Sequence, residues 1–347
     1  MLYVTTRSKH DAVTAPITLR KDRGEDGGLF VPFHMPDPDP ELMDKLGKRS
    51  FGENIAEVLE LFFSAKLSSW DVEMAIGRRP CQLKSMNYRI VIAELFRNVD
   101  GDMNRLLRTL SAAITPEKEI IGQPTEWSKL AVRIALLFGI FGELLRSGQI
   151  QPNEKVNVAV SVGDFSAPMA AWYARQMGLP IDTIICGCNE NGGPWELLHR
   201  GELDAGASTV RTSTPECDYG VHPALERLIC AACGHDAAMQ YCWSLTDGSS
   251  YVPDPDTYEQ LRQGMFAAVV SHVRVETIIP SVYHTNRYIL DPYASLAYGA
   301  LADYRARAGK SSMTLLLAEK SPLREGNTVA RAMGISLPEL RKRVTEA

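Results

Sequence analysis

The chain has 347 residues, which suggests two domains and is ample to bury a hydrophobic core. Hydrophobic residues make up 45% of it and charged residues 23%, and the formal net charge of −5 argues against nucleic acid as a main partner. No apolar run reaches the roughly 18 residues that a membrane span needs, and the first ten residues lack the apolar stretch of a secretory signal, so we expect no membrane partner.

Residues 1–85 are expected to form a first, small α+β unit. Short strands are indicated near residues 3–7 and after the glycine turn in residues 27–32. Apolar residues at helical spacing follow Ser50, and a second helix comes soon after it. Ser69 is the predicted N-cap of that second helix, because a serine hydroxyl can accept a hydrogen bond from a free amide of the first turn.

The middle of the chain combines one strand with helical stretches. Residues 88–94 are rich in β-branched residues, which favours a buried strand. Residues 105–124 are typical of a short helical stretch and a loop. From Trp127 onward, apolar residues at helical spacing predict a long helix with a broad apolar face, which we expect to end by Gly148.

The clearest motif is a strand, a glycine turn, a helix and a second strand over residues 156–188. Residues 156–162 are β-branched with small residues between them, as in a strand that is buried on both faces. The turn is at 163–166, Pro168 suits the first helical turn, and Gly178 is placed to end the helix. Amide groups at such a helix N-terminus can bind a phosphate. A turn with one glycine is a weak signal, and a turn that holds only water is an equal alternative.

Several stretches carry a resemblance to a known family. Residues 26–32 read D-G-G-L-F-V-P, and residues 156–181 are similar to V-x-V-P-T-G-N-F-G-D-x-x-A-G-x-x-A-K-x-M-G-L-P-I. Both patterns belong to threonine synthases, which are enzymes that depend on pyridoxal phosphate (PLP). Weaker similarities occur at residues 94–96, 127–131, 189–191, 194–201, 221–228, 288–295 and 313–322. The resemblance covers most of the chain outside residues 97–125.

The resemblance implies a set of candidate ligand-binding residues. In that family the G-N-F-G turn binds the cofactor phosphate, which gives Gly163, Asp164, Phe165, Ser166 and Ala167 as candidates here. Asn189 and Asn191 are candidates from the loop that resembles T-N-x-N-D. Glu319 aligns roughly with the family's Thr or Ser beside the pyridine nitrogen. Asp164 replaces an asparagine, and its carboxylate would repel a phosphate dianion unless other groups neutralise it.

The catalytic parts of the family pattern are not found in this sequence. Residues 94–96 match the family's E-L-F, but no lysine occupies the F-K-D position that forms the Schiff base. The next lysines, Lys118 and Lys129, lack that context. Residues 97–125 contain no S-G-D-T-G substrate loop and are too few for the family's small domain. We therefore predict that this segment replaces the small PLP-lysine domain, and we assign no catalytic residue.

The cysteines and histidines give no firm metal site. Cys230 and Cys233 have the C-x-x-C spacing of a zinc half-site or a redox pair, but they end an apolar helix, so we favour buried thiols and keep a metal site as the alternative. The histidines show no paired metal-ligand spacing. The seven cysteines are odd in number and scattered, which is typical of reduced thiols, so we expect a cytoplasmic protein and no metal.

These observations predict an α/β fold of the tryptophan-synthase-β-like class. We expect a mostly parallel, doubly wound sheet domain over residues 86–347 and the small α+β domain over residues 1–85. The leading hypothesis is a truncated threonine synthase-like pseudoenzyme that forms no PLP aldimine and keeps a binding or interaction role. One alternative is an active PLP-dependent lyase that converts O-phosphohomoserine to threonine. Another is a non-covalent binder of a phosphorylated metabolite.

The same reasoning sets the expected cofactor and partners. No cofactor is expected under the leading hypothesis, and PLP remains the alternative. Loss of the small domain would uncover a cleft lined by the Gly163 turn, the Asn189 loop and the strand end near Ala318. We expect a homodimer or another protein partner to cover that cleft, because large exposed apolar patches are uncommon in monomers. A phosphorylated small molecule is a candidate ligand.

Overall fold

The computed structural model describes residues 1–37, 40–77, 81–95, 99–114, 125–309 and 311–346. The first part forms a small α+β unit with an antiparallel three-stranded sheet in the order β2-β1-β3. Its elements are β1 (Leu2–Thr5), β2 (Val13–Thr14), α1 (Ala15–Thr18), β3 (Phe30–Pro32), α2 (Pro40–Lys45), α3 (Phe51–Phe63) and α4 (Ser69–Ile76).

The remaining elements form the larger unit. They are β4 (Gln82–Met86), β5 (Ile90–Glu94), α5 (Val99–Ile114), α6 (Glu126–Arg146), β6 (Val156–Ser161), α7 (Ser166–Gln176), β7 (Ile181–Cys188), α8 (Gly193–Arg200), α9 (Leu225–Cys233), α10 (His235–Asp247), α11 (Pro255–Arg262), β8 (Met265–Val269), α12 (His272–Asn286), α13 (Pro292–Ala308), β9 (Thr314–Ala318), α14 (Gly326–Met333) and α15 (Leu337–Glu346). Among the described residues, no helix is both long and apolar enough to cross a membrane.

A six-stranded sheet lies at the centre of the larger unit. Its order is β4-β5-β9-β6-β7-β8. Strands β5, β9, β6, β7 and β8 pair in parallel, and β4 joins β5 antiparallel at one edge. The expected α/β fold with a mostly parallel sheet is therefore confirmed.

The two faces of the sheet pack against different helices, as a doubly wound fold requires. Val158 and Val160 of β6 belong to the core that includes α6 and α7. Ala159 lies between them and packs instead with alanines of α13. Helix α13 approaches the sheet closely at Gly187, where an added Cβ would lie 2.3 Å from the carbonyl carbon of Leu296, so no larger residue fits there.

Helix α4 begins one residue earlier than the sequence suggested. Ser68, and not Ser69, is its N-cap. The Ser68 hydroxyl accepts a hydrogen bond from the Asp71 amide at 3.1 Å, and the Asp71 carboxylate accepts one from the Ser68 amide at 2.9 Å. Asp71 can complete this capping box only with the residue three positions before it, and this fixes the start of the helix.

Two consecutive residues of α9 attach the N-terminal unit to the larger one. Arg7 donates through Nε and Nη2 to the two carboxylate oxygens of Glu226, at 3.1 and 3.2 Å. The guanidinium of Arg227 is buried, and its Nε donates to the carbonyl of Phe30 at 3.1 Å. Side chains of one α9 turn thus bind both the loop after β1 and strand β3.

The two units share one continuous core. Tyr3 of β1 packs edge-on against Trp127 of α6, with ring centroids 5.2 Å apart, and both side chains are fully buried. The expected domain boundary after residue 85 falls inside β4, which pairs with β5 in the large sheet. The structural division therefore lies before β4.

The described part of the segment expected to replace the family's small domain contains one helix. Between Glu94 and Glu126, the described residues form α5 and contain no strand. Helix α5 packs mainly against α4. Residues 97–98 and 115–124 of the predicted replacement segment lie outside the described residues, so the extent of the replacement stays a prediction.

Candidate functional site

A tight turn joins β6 to α7, as the sequence predicted. Gly163 and Phe165 both adopt left-handed backbone conformations, with φ of +50° and +75°. The Phe165 amide donates to the Val162 carbonyl at 2.7 Å, and the Phe165 side chain is fully buried. A left-handed conformation is uncommon for a bulky residue, so this turn is held by its surroundings.

The carboxylate of Asp164 occupies the N-terminus of α7. Its Oδ1 accepts a hydrogen bond from the Ser166 amide at 2.9 Å and another from the Ser166 hydroxyl. Burial alone would raise the pKa of Asp164, but these hydrogen bonds and the charges of Arg133 and Arg227 outweigh it, so its pKa lies below the ordinary value. Asp164 is thus ionised at neutral pH and serves the helix end as an internal anion.

His222 supports the same turn from the other side. Its Nδ1 lies 2.7 Å from the Gly163 carbonyl, so Nδ1–H is the donor. Burial lowers the pKa of His222 from 6.5 to about 4, and the Gly163 carbonyl and Asp164 offset only part of that effect. The ring is therefore neutral at physiological pH.

A polar cavity of about 140 Å³ lies beyond the carboxyl ends of β6 and β9. These are neighbouring parallel strands, and ligands of open α/β sheets bind at such strand ends. The lining residues are Arg133, Ser161, Val162, Gly163, Asp164, Ser166, Ala167, Glu216, Tyr219, Tyr293, Leu317, Glu319 and Lys320.

The cavity brings together five of the eight residues that the sequence proposed. They are Gly163, Asp164, Ser166, Ala167 and Glu319. The cavity lining does not include Phe165, Asn189 or Asn191. Phe165 faces the core, as described above.

Asn189 and Asn191 instead hold a neighbouring loop. The Asn189 side-chain amide donates to Asp218 at 2.7 Å and to Thr212 at 3.0 Å. The Asn191 side-chain amide donates to the same Asp218 oxygen at 3.0 Å and to the Val210 carbonyl at 3.0 Å. Both asparagine side chains thus donate their hydrogen bonds within the protein, as most amides shielded from water do.

The charged side chains of the cavity form two ion-paired groups. Arg133 of α6 pairs with Glu319, and both side chains are about one quarter exposed. Burial would lower the pKa of Arg133, but Glu319 outweighs it and raises the pKa above the ordinary value. Lys320 Nζ lies 2.9 Å from one oxygen of Glu216, whose other oxygen lies 2.6 Å from Arg324 Nη2.

A buried carboxyl group lies close to this polar end. Asp291 is the N-cap of α13 and accepts hydrogen bonds from the amides of Tyr293 and Ala294 at 2.8 and 3.1 Å. Burial raises the pKa of Asp291 from 3.8 to about 7, although those amides and Lys320 act against it. Asp291 thus serves as the cap that begins α13.

Sequence reasoning missed six polar members of the cavity, which are Arg133, Ser161, Glu216, Tyr219, Tyr293 and Lys320. Arg133 had a detectable signal, because it is a lone charge inside a long apolar stretch of α6. Lys320 follows a strand in which all five residues are buried, so it was also placed to reach the carboxyl edge of the sheet. Glu216 lies in a single 3₁₀ turn, Pro215–Cys217, and Tyr219 follows it in a loop; no periodicity in the sequence marks either position.

Among the described residues, the thiols belong to no cluster that could hold a metal ion. All seven cysteines are free, and Cys230 lies buried on α9 with Cys233 half-buried at its end. In the described ranges, no group of three or more His, Cys, Asp or Glu side chains is arranged to hold a metal ion.

The described cavity residues do not fit the phosphate group of PLP. The Ser166 amide and hydroxyl already donate to Asp164, so the chain's own carboxylate uses the donors that would bind the phosphate. A bound dianion would also face Glu216 and Glu319. The lysine that lines this cavity is Lys320, and its ammonium group is bound to Glu216.

Comparison with known sequences shows which proteins the N-terminal unit is similar to. The family profile "Threonine synthase N terminus" matches residues 2–78. Threonine synthase-like 1 from Homo sapiens is 26% identical over 174 residues, which are 49% of this chain and 23% of that protein. Threonine synthase from Corynebacterium glutamicum is 25% identical over 189 residues, which are 52% of this chain and 39% of that protein. The matches thus span well under half of these relatives.

Comparison with solved structures places the whole fold. The PLP-bound threonine synthase from Brucella melitensis superposes with a TM-score of 0.84 at 18% identity, covering 96% of this chain and 92% of that one. The yeast threonine synthase superposes with a TM-score of 0.83 at 18% identity, covering 99% and 94%. The resemblance to threonine synthases that the sequence suggested is therefore confirmed, and the fold is theirs.

Proposed function

We propose that this threonine synthase-like chain, which has the threonine synthase fold, binds a small molecule without forming a PLP aldimine. One observation carries the proposal: Asp164 accepts both hydrogen bonds of Ser166 at the start of α7. A helix N-terminus is where a phosphate would be bound in such a turn. The chain's own carboxylate takes the place of that phosphate.

The charges of the cavity favour a ligand with an ammonium group over a phosphorylated ligand. Three carboxylates line it, those of Asp164, Glu216 and Glu319, against the cations of Arg133 and Lys320. Both cations are ion-paired to the two glutamates, and in the described part of the chain Asp164 has no ion-pair partner. A negative charge 4 Å from Asp164 would be repelled by about 4 kcal/mol at an effective dielectric constant of roughly 20.

The volume limits the size of the ligand. At about 30 Å³ for each water molecule in the liquid, the cavity of about 140 Å³ has room for few heavy atoms. A small primary amine fits both the size of the cavity and its negative charge. This reasoning disfavours the phosphorylated metabolite that the sequence left open.

Calorimetric titration of the purified chain tests the proposal. We expect saturable binding of ethanolamine, its loss in Asp164→Asn, and no saturable binding of inorganic phosphate to the unaltered chain. Asp182→Asn is the matched control, because Asp182 is an exposed carboxylate of β7 outside the cavity lining. Saturable phosphate binding without ethanolamine binding would contradict the proposal and support the phosphorylated-metabolite alternative.

The active-lyase alternative has one observation in its favour, which is the presence of Lys320 in the cavity. Incubation with PLP, reduction with borohydride and mass analysis of the peptides separate the two functions. We expect no lysine to carry a reduced pyridoxyl group. Such an adduct on Lys320, or on any other lysine, would contradict the proposal.

Self-association is a further part of the proposal. The cavity lining includes no described residue of α5. This part of the replacement segment therefore does not cover the cavity, which supports the idea that a second copy covers it. Two-fold dimers are the commonest oligomers, and the proposed state is a dimer. Light scattering at micromolar concentration is the measurement. A monomer whose 97–125 segment resists proteolysis would favour an internal plug instead.

A further inference from the structure

A second and larger cavity lies near the amino end of β8, away from the carboxyl ends of the strands. Its volume is about 720 Å³, within the usual range for small-molecule sites. It is bounded by α8, α11, β8 and the last turns of α13. None of its lining residues belongs to the polar cavity, so the two sites are separate. We call it the β8 groove.

A row of aromatic rings forms one side of the β8 groove. The ring centroids of His199 and Phe266 are 5.7 Å apart, and those of Phe266 and Tyr304 are 5.4 Å apart. The row continues outside the groove to Trp195, which lies 5.5 Å from His199. The three rings within the groove are only half-buried, so they can still stack against a flat ligand.

The groove also presents a cation that has no anionic partner among the described residues. The guanidinium of Arg307 lies 5.6 Å from the Phe266 ring centroid. Arg307 is exposed, and no carboxylate of the described residues lies within ion-pair distance of it. A second cation, Arg262, forms an ion pair with Glu259, with 3.1 Å between Nη1 and Oε1. An arginine stacked on a ring keeps its edge free for bidentate binding of a phosphate.

The backbone edge of β8 is closed to a peptide strand at this point. His199 Nε2 lies 2.7 Å from the Ala267 carbonyl, so Nε2–H donates to it. An added strand would need that carbonyl for its own pairing. In the neutral ring Nδ1 is then an acceptor, which suits an amino group of a flat ligand.

We propose that the β8 groove binds a nucleoside monophosphate. The base stacks on Tyr304 and contacts Phe266 with its edge, because the two ring planes are 63° apart; its amino group faces His199, and Arg307 binds the phosphate. The size of the groove, its half-buried rings and the arginine that has no described ion-pair partner each match one part of that ligand. The proposal is independent of the function proposed for the polar cavity.

Calorimetric titration of the full chain with adenosine monophosphate tests the proposal, with adenosine and ribose 5-phosphate as partial probes. We expect adenosine monophosphate to bind more tightly than either partial probe. Arg307→Gln should weaken its binding about fivefold, the upper range for one exposed ion pair, and leave adenosine unaffected. Tyr304→Leu should weaken both adenosine and adenosine monophosphate. Arg341→Gln is the matched control, because Arg341 is an exposed arginine outside the groove.

Three results would overturn the proposal. They are the absence of saturable adenosine monophosphate binding, an unchanged affinity in Arg307→Gln, and loss of binding in Asp164→Asn, which would place the nucleotide in the polar cavity. Circular dichroism and thermal unfolding of each variant establish that it is folded. Failure of ethanolamine binding at the polar cavity leaves this test unaffected, because the two cavities share no residue.

Discussion

Arg133 on α6 and Glu319 at the end of β9 form an ion pair between residues that are 186 positions apart in the chain. The pair lies between two spaces, because both residues line the polar cavity and also a small apolar pocket. Leu95, Leu136 and Ile140 belong to that apolar pocket. The ion pair therefore separates a polar compartment from an apolar one.

Removing one member of this pair should destabilise the fold. In Glu319→Gln the half-buried guanidinium of Arg133 loses its anionic partner, and we expect a loss of about 1–3 kcal/mol in the free energy of unfolding. Urea denaturation measures it. The double variant Arg133→Leu with Glu319→Leu should lose less, because replacing both charges by apolar groups leaves neither unpaired. A double variant less stable than Glu319→Gln would contradict this account.

Replacing Asp164 by asparagine should allow phosphate to bind. The variant keeps an oxygen for the Ser166 amide but removes the negative charge beside the helix N-terminus. We expect affinity for inorganic phosphate to rise about tenfold or more, which corresponds to about 1.4 kcal/mol. Isothermal calorimetry is the measurement. Unchanged or weaker phosphate binding would mean that the turn is purely structural.

Two buried groups should give opposite pH dependences of stability. His222 has a folded-state pKa of about 4, below its ordinary 6.5. The unfolded chain binds the extra proton between these values, so this contribution to stability is present above pH 6.5 and is lost as the pH falls towards 4. Asp291 has a folded-state pKa of about 7, above its ordinary 3.8. Its contribution is present below pH 3.8 and is lost as the pH rises through 7.

These two contributions offset each other between about pH 4 and 6.5, and a variant can separate them. Asp291→Asn keeps an N-cap for α13 but removes the titration. We expect its free energy of unfolding to fall more steeply than that of the unaltered chain as the pH is lowered from 6.5 to 4. Urea denaturation at a series of pH values measures both slopes. Equal slopes would show that Asp291 does not titrate in this range.

Weakening the link between Arg7 and Glu226 should loosen the N-terminal unit. Glu226→Gln removes the negative charge that accepts both Arg7 hydrogen bonds, and we expect about 1–3 kcal/mol of destabilisation. Limited proteolysis should then cleave residues 1–37 faster than in the unaltered chain. Glu202→Gln, at an exposed position, is the matched control. Equal cleavage rates in Glu226→Gln and the control would contradict the role of this link.

Local patterns were enough to predict the sheet and the turn that begins α7. Runs of β-branched residues and the glycines around them mark β6 and β7 because both strands are buried in a parallel sheet. The start of α4 was wrong by one residue, since Ser68 and Ser69 can each act as a cap. Asp71 decides between them through its position in the first turn.

The site was only partly predictable, because its charges come from distant parts of the chain. Glu216 lies in a short 3₁₀ turn that no periodicity marks, and it forms ion pairs with Lys320 and Arg324, more than 100 residues away. The resemblance proposed Asn189 and Asn191 as ligand candidates by their place in the motif. In the structure, their side-chain amides donate to Asp218 instead. No spacing in the sequence indicates this contact.

The pairing of Arg7 with Glu226 has a consequence for synthesis on the ribosome. The two residues are 219 positions apart, so the N-terminal unit emerges long before α9. At a translation rate of about 5–20 residues per second, roughly ten to forty seconds separate them. During that interval the Phe30 carbonyl also lacks Arg227, its partner in the folded chain. The nascent N-terminal unit therefore stays without both α9 partners for that interval, during which a chaperone can bind it.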